Sequence, residues 1–180
     1  MAVHIALHEI GVEFEAKSLS FHEKEHRDPE FLALNPAGKV PTLLVDGEII
    51  TEVAACLFYL ARRFPDSRLM PTGLLGEAQA VSWMSFIAST LHPARRQGLG
   101  HVTDVWTTAE RKFGDRDWAL GIYSVVDIHL FRLYWRMVNA SRPYPKGLHR
   151  LDALYRNMMS RPAVQRTIEV ESRIGYELPA

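Results

Sequence analysis

The sequence predicts a mixed fold, a short α/β segment followed by an all-helical one. Three observations carry that expectation. Over residues 12–18, Val12, Phe14 and Ala16 interleave with Glu13, Glu15 and Lys17, the alternation of a strand with one wet face. Two apolar stretches, 42–45 and 48–50, flank Asp46-Gly47, a dipeptide suited to a two-residue hairpin turn because both residues tolerate positive φ. Beyond 65–76, a stretch with two prolines and two glycines, the apolar pattern is helical throughout.

Each element has its own signals. Val3, Ile5, Ala6 and Ile10 share one face of a helix over 2–10, and Gly11 stops it. The strand over 12–18 follows. Asp28-Pro29-Glu30 starts a helix, with Asp as cap and Pro in the first turn. Asn35-Pro36-Ala37-Gly38 ends it, and the hairpin comes next. A helix over 52–64 ends before Pro65. Further helices are expected over 77–97, 103–113, 124–139, 148–159 and 162–174. Ser124-Val125-Val126-Asp127 has the form of a capping box, with Asp in place of Glu or Gln.

The 180 residues suit one large domain or two small ones, and 47% hydrophobic content is enough for a buried core. Lys plus Arg and Asp plus Glu each number 21, so no charge excess points to nucleic acid or an anionic membrane. The one cysteine, Cys56, sits among Val53, Leu57 and Leu60 on an apolar face and reads as a core residue. His4/His8 and His22/His26 have the spacing of helical ligand pairs, but neither has a convincing third ligand, so no metal is expected. Arg95-Arg96 reads as a solvated helix end. No basic leader with an apolar core and no membrane-length apolar run is present, so a cytoplasmic protein is expected.

The stretch Asn35-Pro36-Ala37-Gly38-Lys39-Val40-Pro41-Thr42-Leu43-Leu44-Val45-Asp46-Gly47, followed by Thr51-Glu52 and an apolar helix, resembles the glutathione-binding half of a glutathione S-transferase. Gly121-Ile122-Tyr123-Ser124-Val125-Val126-Asp127 and Ser160-Arg161-Pro162-Ala163-Val164-Gln165 are similar to segments of that family's helical domain. The resemblance covers essentially the full length and is greatest to the bacterial, beta-like branch. It implies a thioredoxin-like domain over 1–66, lacking its first strand, and a helical domain over 74–180. In the family a strand and a thiol-activating Tyr, Ser or Cys precede the first helix, whereas this sequence begins at Met1-Ala2-Val3-His4-Ile5, inside that helix. The resemblance therefore implies an incomplete sheet: the strand over 12–18 loses its partner and the strand over 42–45 keeps only its hairpin mate. The stretch between Gly98 and Asp117 is also short for two full family helices.

The resemblance also assigns a site for glutathione as co-substrate. Val40-Pro41 is expected to be cis, exposing the Val40 amide and carbonyl to pair with the cysteinyl backbone of glutathione. Lys39 meets the glycine carboxylate. Glu52 and the first amides of its helix meet the γ-glutamyl end, where the helix N-terminus favours a carboxylate and Glu52 the ammonium. Val53 stands where relatives carry serine, a loss of one hydrogen bond worth roughly 0.5–1.5 kcal/mol. His92 is placed near the sulfur as a catalytic residue, with Ser85 and Ser89 on the same helix face at spacings of three and four.

The ancestral reaction is attack of the glutathione thiolate on an electrophilic small molecule, impaired here. Two other readings remain open: a non-catalytic binding or partner module of the same fold, and a glutathione-dependent isomerase or reductase. A homodimer is expected, because the helix from Glu77 carries Val81, Met84, Ile87, Ala88 and Leu91, more apolar side chains than one small core needs.

Overall fold

A computed structural model of the chain describes residues 1–176. Helix α1 (Ala2–Ile10) buries Val3, Ile5, Ala6 and Leu7 and ends at Gly11, whose φ of 80° lets its amide close onto the Leu7 carbonyl. The expected strand over 12–18 is not a strand. Val12 and Phe14 still lean on the core while Glu13 and Glu15 face outward, and the Phe14 ring stacks on His4 at 5.6 Å. Alternation of this kind reports one wet face; a ladder needs a neighbouring backbone too, and among the described residues this segment joins none.

After a 3-10 turn at Glu25–Arg27, helix α2 (Pro29–Leu34) leads to β1 (Thr42–Val45) and β2 (Glu48–Thr51). These form a two-stranded antiparallel sheet with Thr42 opposite Thr51, Leu43 opposite Ile50, Leu44 opposite Ile49 and Val45 opposite Glu48. Asp46 (φ 51°) and Gly47 (φ 85°) make the expected turn. Leu43 and Ile50 pack on the core while Leu44 and Ile49 are exposed. A hairpin of this size is marginal by itself, so its apolar face must lean on the helices.

Helix α3 (Val53–Arg63) follows β2 directly, and Glu52 is its cap position. The connection over 65–76 is not a loose linker. Leu69 and Met70 are buried, and the Leu69 carbonyl accepts a hydrogen bond from the Val125 amide at 2.9 Å. Helix α4 (Gly73–Phe86) starts four residues earlier than expected. It passes into a π-turn (Ile87–Leu91) and then a short α5 (His92–Ala94), in place of one regular helix to Gln97. Then come α6 (Leu99–Phe113), α7 (Val125–Asn139), α8 (His149–Met159) and α9 (Pro162–Ile174).

Helix α7 is the axis of the molecule, with ten of its residues buried, and α1, α3, α4 and α8 pack on it. Its start is the expected capping box. The Ser124 Oγ accepts from the Val126 amide, and the Asp127 carboxylate accepts from the Ser124 amide at 2.9 Å and the Ala119 amide at 2.8 Å. One continuous apolar core runs from Ala2 to Val164 through both segments. Polar clamps lock α1 across it: Arg161 grips both Glu9 oxygens at 2.6 and 2.9 Å, Tyr123 donates to the same carboxylate at 2.9 Å, and His4 pairs with Glu171 of α9 at 2.6 Å. No helix among the described residues is long and apolar enough to cross a membrane.

Candidate functional site

The loop between α2 and β1 is organised by a side chain that sequence reading treated only as a helix breaker. Asn35 is 4% exposed. Its Nδ2 donates to the Lys39 carbonyl at 2.8 Å and to the Thr42 Oγ1 at 3.2 Å, and its Oδ1 accepts from the Ala37 amide. Gly38 (φ 60°) passes so close to the 3-10 turn that a Cβ there would lie 2.8 Å from the His26 carbonyl oxygen. Only glycine fits both the conformation and the space. The result is a tight loop with Lys39 and Val40 turned outward.

Val40-Pro41 is cis, as expected. Val40 is 45% exposed, and among the described residues neither its amide nor its carbonyl bonds to other backbone. The hairpin register then does the positioning. With Thr42 opposite Thr51, continuing the antiparallel count puts Pro41 across from Glu52 and Val40 across from Val53. The free Val40 backbone and the N-terminus of α3 thus sit at one end of one hairpin.

Glu52 has φ 67° and ψ 130°, a region that a non-glycine residue occupies at a cost of about 1–3 kcal/mol. Its side chain is exposed, and among the described residues no side chain caps the first amides of α3. Val53 is half-buried against the core, so it offers this end only its amide. The corner therefore combines an ammonium at Lys39, a strand-like donor–acceptor pair at Val40, uncapped helix amides and a carboxylate. It suits a short zwitterionic peptide-like ligand.

His92 follows the π-turn and is half-buried. Desolvation, with Arg132, Arg95, Arg136 and Arg96 adding repulsion, holds its imidazole down to about 4, so it is neutral near pH 7. Among the described residues it makes no side-chain hydrogen bond. Ser85 precedes the π-turn, Ser89 lies within it and His92 follows it. The π-turn changes the helical phase on which the spacing of three and four was counted. Ser85 lines a hollow of about 210 Å³ with Ala54, Ala55, Phe58, Val81 and Met84, while the Ser89 hydroxyl meets that of Thr90 at 3.3 Å. Cys56 is buried, its thiol near the Ile50 carbonyl and pushed up to about 11 by burial, which keeps it unreactive. Among the described residues no cluster of three or more His, Cys, Asp or Glu is placed to hold a metal ion.

Sequence reading missed His129, Arg132 and Arg136. Their signal was available: basic residues at i, i+3 and i+7 in an otherwise apolar helix are out of place unless they have a task. Helix α7 turns this face toward the π-turn and His92.

The family model described as Glutathione S-transferase, N-terminal domain, matches residues 1–62. Glutathione S-transferase GstA of Escherichia coli O157:H7 is 30% identical, with 95% of this chain and 93% of that protein covered. A sphingomonad glutathione S-transferase solved in complex with glutathione superposes with a TM-score of 0.84 at 30% identity, covering 95% of this chain and 93% of that one. The beta-class glutathione S-transferase of Sphingomonas chungbukensis gives 0.83 at 30% identity, over 94% and 92%.

Proposed function

The chain belongs to the glutathione S-transferase family, and from that premise we propose that it binds glutathione at the Val40 end of its hairpin and conjugates it slowly to an electrophilic small molecule. The observation that carries this reading is the hairpin register, which brings the unpaired Val40 backbone to the uncapped start of α3. In this pose the cysteinyl backbone pairs with Val40, Lys39 meets the glycine carboxylate, the α3 amides hold the γ-glutamyl carboxylate and Glu52 its ammonium.

His92 stands near the sulfur. The arginines around it favour loss of the thiol proton to solvent, the neutral imidazole donates a hydrogen bond to the resulting thiolate, and that thiolate forms the new C–S bond as the leaving group departs. Two features make this slow. Val53 offers no hydroxyl to the ligand. His92, held down to about 4, is too weak a base to take the thiol proton itself, and no hydrogen-bonded partner among the described residues orients it.

The experiment is a side-by-side conjugation assay with a chlorodinitrobenzene substrate against the Escherichia coli relative. Turnover by this chain should fall about a hundredfold or more below the relative, the scale of losing one positioned catalytic group. Equal turnover would show that thiol activation has been assigned to the wrong residues.

A further inference from the structure

We propose that the basic face between α5 and α7 is the seat for an anionic group on the second substrate, a carboxylate or sulfonate carried by the electrophile. The inference rests on the glutathione reading for its position beside the thiol. Its evidence is separate.

The face has two sides. Helix α7 contributes His129, Arg132 and Arg136 from one stripe, and the turn after the π-bulge contributes His92, Arg95 and Arg96. The π-turn packs directly on α7. The charges reach one another: Arg132, Arg95, Arg136 and Arg96 all bear on His92, Arg136 and Arg95 bear on Arg132, and Arg142 bears on Arg95. Among the described residues none of these five arginines forms an ion pair. The acid that reaches Arg132 is Glu171, and it is already engaged by His4 at 2.6 Å.

Among the described residues, two buried nitrogens on this face have no hydrogen-bond partner. One is the Nδ1 of His129, a residue only 3% exposed, and the other is the Nε of Arg136. Partly desolvated like charges at Arg132 and Arg136, one with an unmet Nε–H donor, are unfavourable without an anion beside them. An entering carboxylate removes that penalty and meets guanidinium forks suited to it. A cation, or a wholly neutral electrophile, has no such match. The carboxylates of glutathione are already served by Lys39 and the α3 amides in the proposed pose, which leaves the anion to the second substrate.

The test is calorimetric titration of the full chain with 4-nitrobenzoate and with its neutral counterpart 4-nitrobenzamide, with and without saturating S-methylglutathione. The acid should bind about tenfold tighter than the amide, and binding should survive S-methylglutathione. Arg95→Met, at an exposed position, and the double variant Arg95→Met/Arg136→Met should erode that preference stepwise while the affinity for S-methylglutathione, which forms no thiolate, stays within about twofold. Equal affinity for acid and amide in the wild-type chain overturns the inference without recourse to any variant. Loss of acid binding under S-methylglutathione overturns it too, since the face would then serve the tripeptide's own carboxylate. If the acid preference holds but glutathione itself does not bind, the proposed function fails and the anion seat stands.

Discussion

At the scale of single residues, burial and charge explain more than residue type. His129 and His92 are alike in sequence, yet both are held neutral by what surrounds them. Burial first, then Arg132 and His92, takes His129 down to about 3. The sign of the consequence follows. The unfolded chain takes up a proton as pH falls through 6.5, the ordinary histidine value, and the fold resists it. Stability from this residue is therefore complete above that pH and is lost progressively below it, and His92 acts the same way down to about 4. Asp127 works in the opposite direction, because burial raises it to about 6 and its contribution is lost as pH rises toward that value. A variant comparison separates them. His129→Gln should flatten the dependence of the urea midpoint on acidification by close to one proton, about 1.4 kcal/mol per pH unit. Parallel curves for variant and wild type would mean His129 is protonated in the fold. Of these residues, the sequence marks His92, Glu52 and the Val-Pro pair through the family pattern. The α7 arginines are marked only by their spacing in an apolar helix, and Asn35 is legible only once packing shows that it is trapped inside.

At the scale of elements, the parts set by local chemistry were readable and the parts set by long-range pairing were not. Asp46-Gly47 specifies its turn in two residues, and Ser124 with Asp127 specifies the start of α7 in four. Residues 12–18 carry a strand's alternation, but a ladder depends on backbone elsewhere. The π-turn at Ile87–Leu91 has no signature in an apolar run, because an extra residue per turn alters phase and leaves composition unchanged. The start of α8 depends on a distant group too: Glu110 of α6 accepts from the Arg150 and Leu151 amides at 2.7 and 3.0 Å, since Leu148 cannot cap. The capping box is the clearest test at this level. Asp127→Ala strands the buried Ala119 and Ser124 amides, so thermal or urea unfolding should show a loss on the order of 3 kcal/mol. A loss below about 0.5 kcal/mol, the range of an ordinary surface change, would mean that water replaces the carboxylate.

At the scale of the whole molecule, the two segments form one body, joined through the buried Leu69 and the Glu9–Arg161 clamp. The expectation of a homodimer needs a narrower footing than the sequence suggested. Met84, Ile87 and Leu91 are spent on the chain's own core, leaving Val81 and Ala88 exposed, together with Leu74 and Leu75 at 85% and 73% exposed near the start of α4. We propose this face, with the adjoining hollow against α3, as the dimer surface. Val81→Glu should convert a dimer to a monomer in light scattering at micromolar concentration, and a wild-type monomer would exclude the proposal. The central claim is that the hairpin end at Val40 and Glu52 is a glutathione site. Its most direct test is calorimetric titration of glutathione into the wild-type chain and into folded Glu52→Ala. The account predicts one glutathione per chain, bound about tenfold more weakly by the variant, as expected for one charge-assisted contact to the ammonium. Saturable binding of equal strength by both proteins, or no binding by the wild-type chain, would contradict it.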